Sequence, residues 1–170
     1  MRKIVLVIAF SLSLYSATLS SSGGSIGASD MFSQKNVSLG VKLGSASIGN
    51  EDYTILGVSG SYFILDNLSI GLGYEKWVSG TPTIQKLTAE STYFIPLSES
   101  VRPYVGVLYR RIFIGDNYGD VNAYGYRGGI AFVQGRLLIS AGIVQERYES
   151  SRRVLDNSET YGEVTVGISF

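Results

Sequence analysis

Seven ionisable side chains recur at one kind of position. Lys42, Glu75, Glu90, Arg110, Arg127, Glu146 and Glu163 each stand among small residues, on the face opposite the aliphatic side chains of their segment. Such a set could do two kinds of chemistry. Paired acids can move protons, and alternating acids and bases can neutralise one another away from water. Nucleophilic chemistry at a serine would need a base of suitable pKa beside it, and the chain contains neither histidine nor cysteine. That removes the commonest general base, the commonest metal ligand, every Ser-His or Cys-His nucleophile and any disulfide. Paired acids alone are a weak catalytic signal, because Glu75 and Glu90 also have a structural explanation, and no catalytic residue, metal site or cofactor is expected. Fourteen basic and fourteen acidic residues balance to zero, which gives no footing for nucleic acid. The stretch Gly125–Gly129 looks superficially like a phosphate loop, but it lies inside an alternating segment and opens no helix.

The elements that must position these charges alternate with period two. Val37, Leu39, Val41 and Leu43 oppose Ser38, Gly40, Lys42 and Gly44; Val164, Val166, Ile168 and Phe170 oppose Glu163, Thr165, Gly167 and Ser169. Six further segments behave alike, so the chain predicts eight antiparallel strands rather than helices. Turn signals fall at Asp66-Asn67, from Pro96 to Pro103, and at Gln134-Gly135, with longer connections at 49–53, 79–86, 115–121 and 149–158. All three prolines lie in or beside connections, where a missing N–H costs no ladder bond.

Arg2 and Lys3 precede an uncharged run from Ile4 to about Leu19 that is diluted by serines. This is the form of a cleavable signal peptide over residues 1–20, too weakly apolar for a membrane helix. Cleavage is expected after Thr18-Leu19-Ser20, leaving 12 basic and 14 acidic residues. A flexible Gly/Ser-rich lead-in is expected over 21–35 and the strand domain over 36–170. With no cysteine at the cleavage region, a lipoprotein anchor is not expected.

Which face points inward decides the solvent. A soluble barrel or sandwich would bury the aliphatic face and expose glycine-rich strands to water, a poor use of glycine. Inverted, the pattern fits: an eight-stranded barrel has so narrow an interior that small residues must leave room for a few large polar ones. The aliphatic face then meets lipid, with Tyr62, Tyr93, Phe132 and Phe170 toward one rim and Tyr74, Tyr109 and Tyr124 toward the other. The expected fold is an all-β, eight-stranded, antiparallel, up-and-down transmembrane barrel.

From about Asn36 to Phe170 the chain resembles the small OmpA/OmpX/OmpW-type outer-membrane β-barrels of Gram-negative bacteria. Its most specific element is the final strand from Tyr161 to Phe170, alternating and ending in phenylalanine; Pro103-Tyr-Val-Gly-Val is similar to a strand opening common in these barrels. The resemblance implies residence in the outer membrane as a monomer and contact with lipid and lipopolysaccharide. It also implies recognition by the barrel-assembly machinery through Val164, Val166, Ile168 and Phe170. No peptidoglycan-binding domain is expected, because the sequence stops at Phe170. The barrel enzymes that resemble this chain in class rely on histidine, so none of their activities is expected.

Strand order makes neighbours of Glu90 and Arg110, of Arg127 and Glu146, and of Glu163 and Lys42 at barrel closure. These three pairs are expected, with Glu75 left to share Arg110 or Arg127 or to carry a proton. Two functions follow. A static network fills the lumen of a structural or surface-interaction barrel, whereas exchangeable pairs gate a narrow OmpW-like conduit; an apolar pocket lined by Ile55, Phe63 or Phe94 would favour the conduit. A third function, adhesion, would rest on short loops. In those loops Asp116, Asp120, Asp156 and Glu159 are expected to be solvated or to touch divalent ions, and Arg152-Arg153 to meet lipid phosphates.

Overall fold

The computed structural model describes residues 30–48, 51–80, 82–115, 120–149 and 158–170. The signal peptide, the lead-in up to residue 29, Asp116, Asp156 and Arg152-Arg153 lie outside the described residues. Eight strands follow a short 3-10 helix, η1 (Asp30–Phe32). They are β1 (Val37–Ile48), β2 (Glu51–Leu65), β3 (Leu68–Val78), β4 (Ile84–Phe94), β5 (Val101–Ile114), β6 (Val121–Gln134), β7 (Leu137–Tyr148) and β8 (Ser158–Ser169). Each pairs antiparallel with the next and β8 pairs with β1, which closes the barrel and leaves no sheet edge. The seam aligns Leu39 with Ile168 and Val41 with Val166. It is extended by reciprocal backbone bonds between Val37 and Phe170.

Local chemistry sets the hairpins at one end of the barrel, here called the turn end. Gly135 has φ of 60° at the first central position of a two-residue turn between Gln134 and Leu137, a type II′ position that glycine fills without strain. Asn67 takes φ of 66° in the β2–β3 turn, a conformation asparagine tolerates. A register shift between Phe63 and Leu65 precedes it, so Leu65 faces outward beside the partly exposed Ile64. At the opposite, loop end, all four strands that return from the connections start earlier than expected, β2 at Glu51 and β6 at Val121 among them. β4 starts at Ile84 rather than after residue 86, and β8 starts at Ser158, so Lys86 and Glu159 belong to the barrel wall.

The alternation resolves inside out. Leu39, Leu72, Val107, Tyr126 and Ile143 are among many large apolar side chains on the outer surface, while Lys42, Glu75, Arg110 and Glu146 are buried within. Water cannot sustain that arrangement: a belt of exposed leucine, valine and isoleucine around a charged core is stable only against hydrocarbon. Strands of 11 to 15 residues meet or exceed the 9–11 or so that a tilted crossing needs. Tyr62, Tyr93, Phe132 and Phe170 lie exposed toward the turn end, and Tyr74, Tyr109 and Tyr124 toward the loop end. The chain is a transmembrane eight-stranded β-barrel.

The lead-in expected to be flexible is, from Asp30 onward, part of this structure. Met31 and Phe32 are each 2% exposed, inserted into the turn end of the lumen. There they join Phe63, Phe94, Tyr104, Ala131 and Val133 in an apolar cluster. A second cluster fills the loop end, with Tyr53, Ile55, Trp77, Ile112, Val144 and Tyr161 among its members. The interior is therefore layered: apolar, charged, apolar.

Candidate functional site: the charged lumen

Every strand except β2 delivers a charge to the lumen, and it can do so because the residues around that charge are small. At Gly57 a Cβ would lie 2.8 Å from Glu75 Cγ, and at Gly129 it would lie 2.8 Å from Tyr104 Oη. Glycine on the inner face is thus the space that large lumenal side chains occupy.

Four cations each bridge two carboxylates. Arg127 joins Glu163 at 2.9 Å to Glu90 at 2.7 Å. Lys42 joins Glu90 at 3.1 Å to Glu75 at 3.7 Å. Arg110 joins Glu75 at 3.1 Å to Glu146 at 3.3 Å. Lys86 joins Glu146 at 2.5 Å to Glu159 at 3.8 Å. The result is one unbroken ladder in which acid and base alternate, Glu163–Arg127–Glu90–Lys42–Glu75–Arg110–Glu146–Lys86–Glu159. Tyr148 caps it by donating to Glu159 Oε2 at 2.5 Å, and Arg110 also donates to Tyr161. The side chains of Arg110 and Glu146 are 0% exposed. Charges so buried survive only by such compensation.

Ladder stoichiometry is five carboxylates to four cations. A fifth interior cation, Arg102, stands apart at the turn end, where its guanidinium lies 4.2 Å from the Phe32 ring centroid and donates to Asn67 Oδ1. At the loop end Lys86 also rests over Trp77, 3.8 Å from the ring centroid. These contacts fix both ends of the polar layer against the aromatic clusters.

All seven sequence-selected charges enter the lumen and join this ladder, but none of the three expected pairs forms. The register explains why. Arg110 lies opposite Thr88 rather than Glu90, Arg127 opposite Val144 rather than Glu146, and Lys42 opposite Thr165 rather than Glu163. Each expected pair is offset by two residues along its strands. Inward side chains point toward the barrel axis, so strands two or more apart meet there, and every ion pair of the ladder skips at least one strand. Glu75 takes both Arg110 and Lys42. Two members lie outside the expected set: Lys86 falls in the expected 79–86 connection, and Glu159 stands among the expected loop acids. Counting period two backward from Glu90 through Thr88 would have placed Lys86 on the inner face. Asp120 behaves as a surface acid, paired with Arg111 at 2.9 Å.

Chemically the arrangement offers little. No group of histidine, cysteine, aspartate or glutamate among the described residues could hold a metal ion. Ile55 belongs to the loop-end cluster, whereas Phe63 and Phe94 belong to the turn-end cluster, so these three do not line one apolar pocket.

No protein-family model matches the chain, and no curated protein matches it. Solved structures do. The N-terminal β-barrel domain of Pseudomonas aeruginosa OprF is similar at TM-score 0.60 and 18% identity, covering 81% of this chain and 98% of that one. Neisserial surface protein A is similar at TM-score 0.59 and 18% identity, covering 79% and 94%. The Yersinia pestis outer membrane protein Ail, in a phospholipid bilayer nanodisc, is similar at TM-score 0.51 and 11% identity, covering 81% and 100%. The fold is that of the small outer-membrane β-barrels.

Proposed function

We propose that this chain is a non-enzymatic, non-conducting barrel of the Gram-negative outer membrane, contributing to envelope integrity and presenting short loops outside. The unbroken ladder carries this reading. An ion crossing the lumen would have to part charge pairs at 2.5–3.3 Å and then displace the apolar clusters at both ends. In the low dielectric of a filled lumen, each parted pair leaves buried charges uncompensated. The turn end, with its short hairpins, η1 and Phe170, would face the periplasm. Lipid and lipopolysaccharide would surround the aliphatic belt, and Val164, Val166, Ile168 and Phe170 would carry the chain to the assembly machinery.

The test is a strain lacking the protein. Removal should sensitise cells to detergent and bulky antibiotics while leaving entry of small solutes unchanged. Slower entry of small solutes with normal detergent resistance would replace this reading by the conduit.

A further inference from the structure

Between the turn-end aromatic cluster and the ladder lies a polar cavity of about 50 Å³. Its walls include Ser59, Ser61, Ser140 and Thr165, and its ceiling includes Lys42 and Arg127. The Thr165 hydroxyl is buried with no hydrogen-bond partner among the described residues. A chamber of that size and polarity has room for roughly three to five waters, each needing about 10–15 Å³.

Toward the turn end the cavity is floored by Phe94, Tyr104 and Leu138 from the wall strands, and Phe32 backs that floor by packing against Phe94. Phe32 packs edge-on to Phe63 at 5.7 Å and against Phe94 at 4.8 Å, and Phe94 touches Tyr104 at 5.8 Å. Of these rings only Phe32 comes from outside the strands. The segment carrying it is tied to the rim by discrete hydrogen bonds, among them Gln34 Nε2 donating to Ile64 O at 2.8 Å and Ser169 Oγ donating to Met31 O at 3.5 Å. Asn67 N donates to Phe32 O at 2.7 Å, Lys35 N donates to Phe63 O at 2.8 Å, and Gln34 N donates to Asp66 Oδ1 at 2.8 Å. Lys35 itself turns with φ of 77°, in the left-handed region that a lysine occupies at a cost. None of these bonds belongs to the pairing that closes the barrel wall.

We propose that η1 is a tethered stopper, and that its withdrawal opens the chamber from the turn end to water and small neutral hydrogen-bonding solutes. The ladder above stays shut, so the chamber is a dead end rather than a channel. Arg102, with its guanidinium over the Phe32 ring, holds the stopper seated. This inference needs only the closed barrel, not the proposed envelope role.

A chain without cysteine allows a direct test. Ser140→Cys places a thiol in the chamber, and Ala123→Cys places one in the loop-end cluster above the ladder. Each is probed with a small methanethiosulfonate reagent in folded, detergent-held protein, with and without Phe32→Ala, and again with residues 30–34 deleted. Ser140→Cys should react slowly in the parent and at least tenfold faster once Phe32 is truncated, with Ala123→Cys unchanged. Fast reaction with Phe32 present overturns the stopper, as does slow reaction after its removal. Equal acceleration at Ala123→Cys would reveal a loosened barrel instead. Failure of the Phe32→Ala protein to fold would also overturn it, since a stopper is dispensable to the wall.

Discussion

Arg110 on β5 takes Glu146 on β7 as a partner at 3.3 Å and leaves Glu90, on the adjoining strand β4, to Lys42 and Arg127. Skipping a strand is a consequence of the barrel's narrowness. Inner side chains from adjacent strands run side by side toward the axis, and those two strands apart meet head on. Arg110→Ala would strip Glu75 and Glu146 of a shared cation in a dry setting. A loss of about 3–5 kcal/mol is expected, read from the denaturant midpoint of heat-modifiable gel migration. A variant with a parental midpoint would mean that Arg110 is not inside.

Double-mutant cycles separate the observed partners from the adjacent-strand ones. Arg127→Ala with Glu163→Ala should recover part of the loss of either single change, because the two groups lie 2.9 Å apart. Arg127→Ala with Glu146→Ala should couple more weakly than the first cycle, because the two groups form no ion pair and are linked only through the intervening members of the ladder. Coupling in the second cycle and not the first would restore the pairing expected from strand order.

The lipid face has its own signature. Val166→Arg places a charge in the aliphatic belt, where Val166 is 39% exposed, and should cost about 2–4 kcal/mol at mid-bilayer depth. Val166→Leu should be close to neutral. One residue away, Thr165→Arg points into the chamber and should act by crowding. Equal tolerance of both Val166 variants would indicate a barrel turned the other way out.

The fold was legible in the sequence because period-two alternation and hairpin residues act locally. Asn67 and Gly135 announce their turns, and Val164 to Phe170 announce their strand. Seven of the nine ladder members were legible for the same reason, since small neighbours betray an inner face; Lys86 and Glu159, at strand starts beside long connections, were not. Partner identity was not. It depends on register between strands and on tilt across the axis, and a shift of two residues changes every partner while leaving the alternation untouched. Nor was η1 legible: Met31 and Phe32 follow a Gly/Ser-rich run and form no periodic pattern, and only the vacant turn end of the barrel gives them a place to be buried.

Trp77, the single tryptophan, reports on the loop end. It is fully buried under Lys86 and against Tyr53 and Tyr161. Its emission should be blue-shifted and resist acrylamide in the folded barrel. Lys86→Ala, which frees Glu159 from the ladder, should raise quenching without abolishing heat-modifiable migration. Quenching in the folded parent as strong as in the unfolded chain would show a loop end open to water.

Single-channel recording of the refolded protein in a planar bilayer tests the closed lumen most directly. With the ladder intact and apolar clusters at both ends, the parent should give no resolvable conductance steps over voltages at which a water-filled pore conducts. Phe32→Ala should be equally silent, because it unseats the stopper but leaves the ladder whole. Stable, reproducible steps from the parent protein would contradict the account, since ions would then be passing through charges described here as locked to one another.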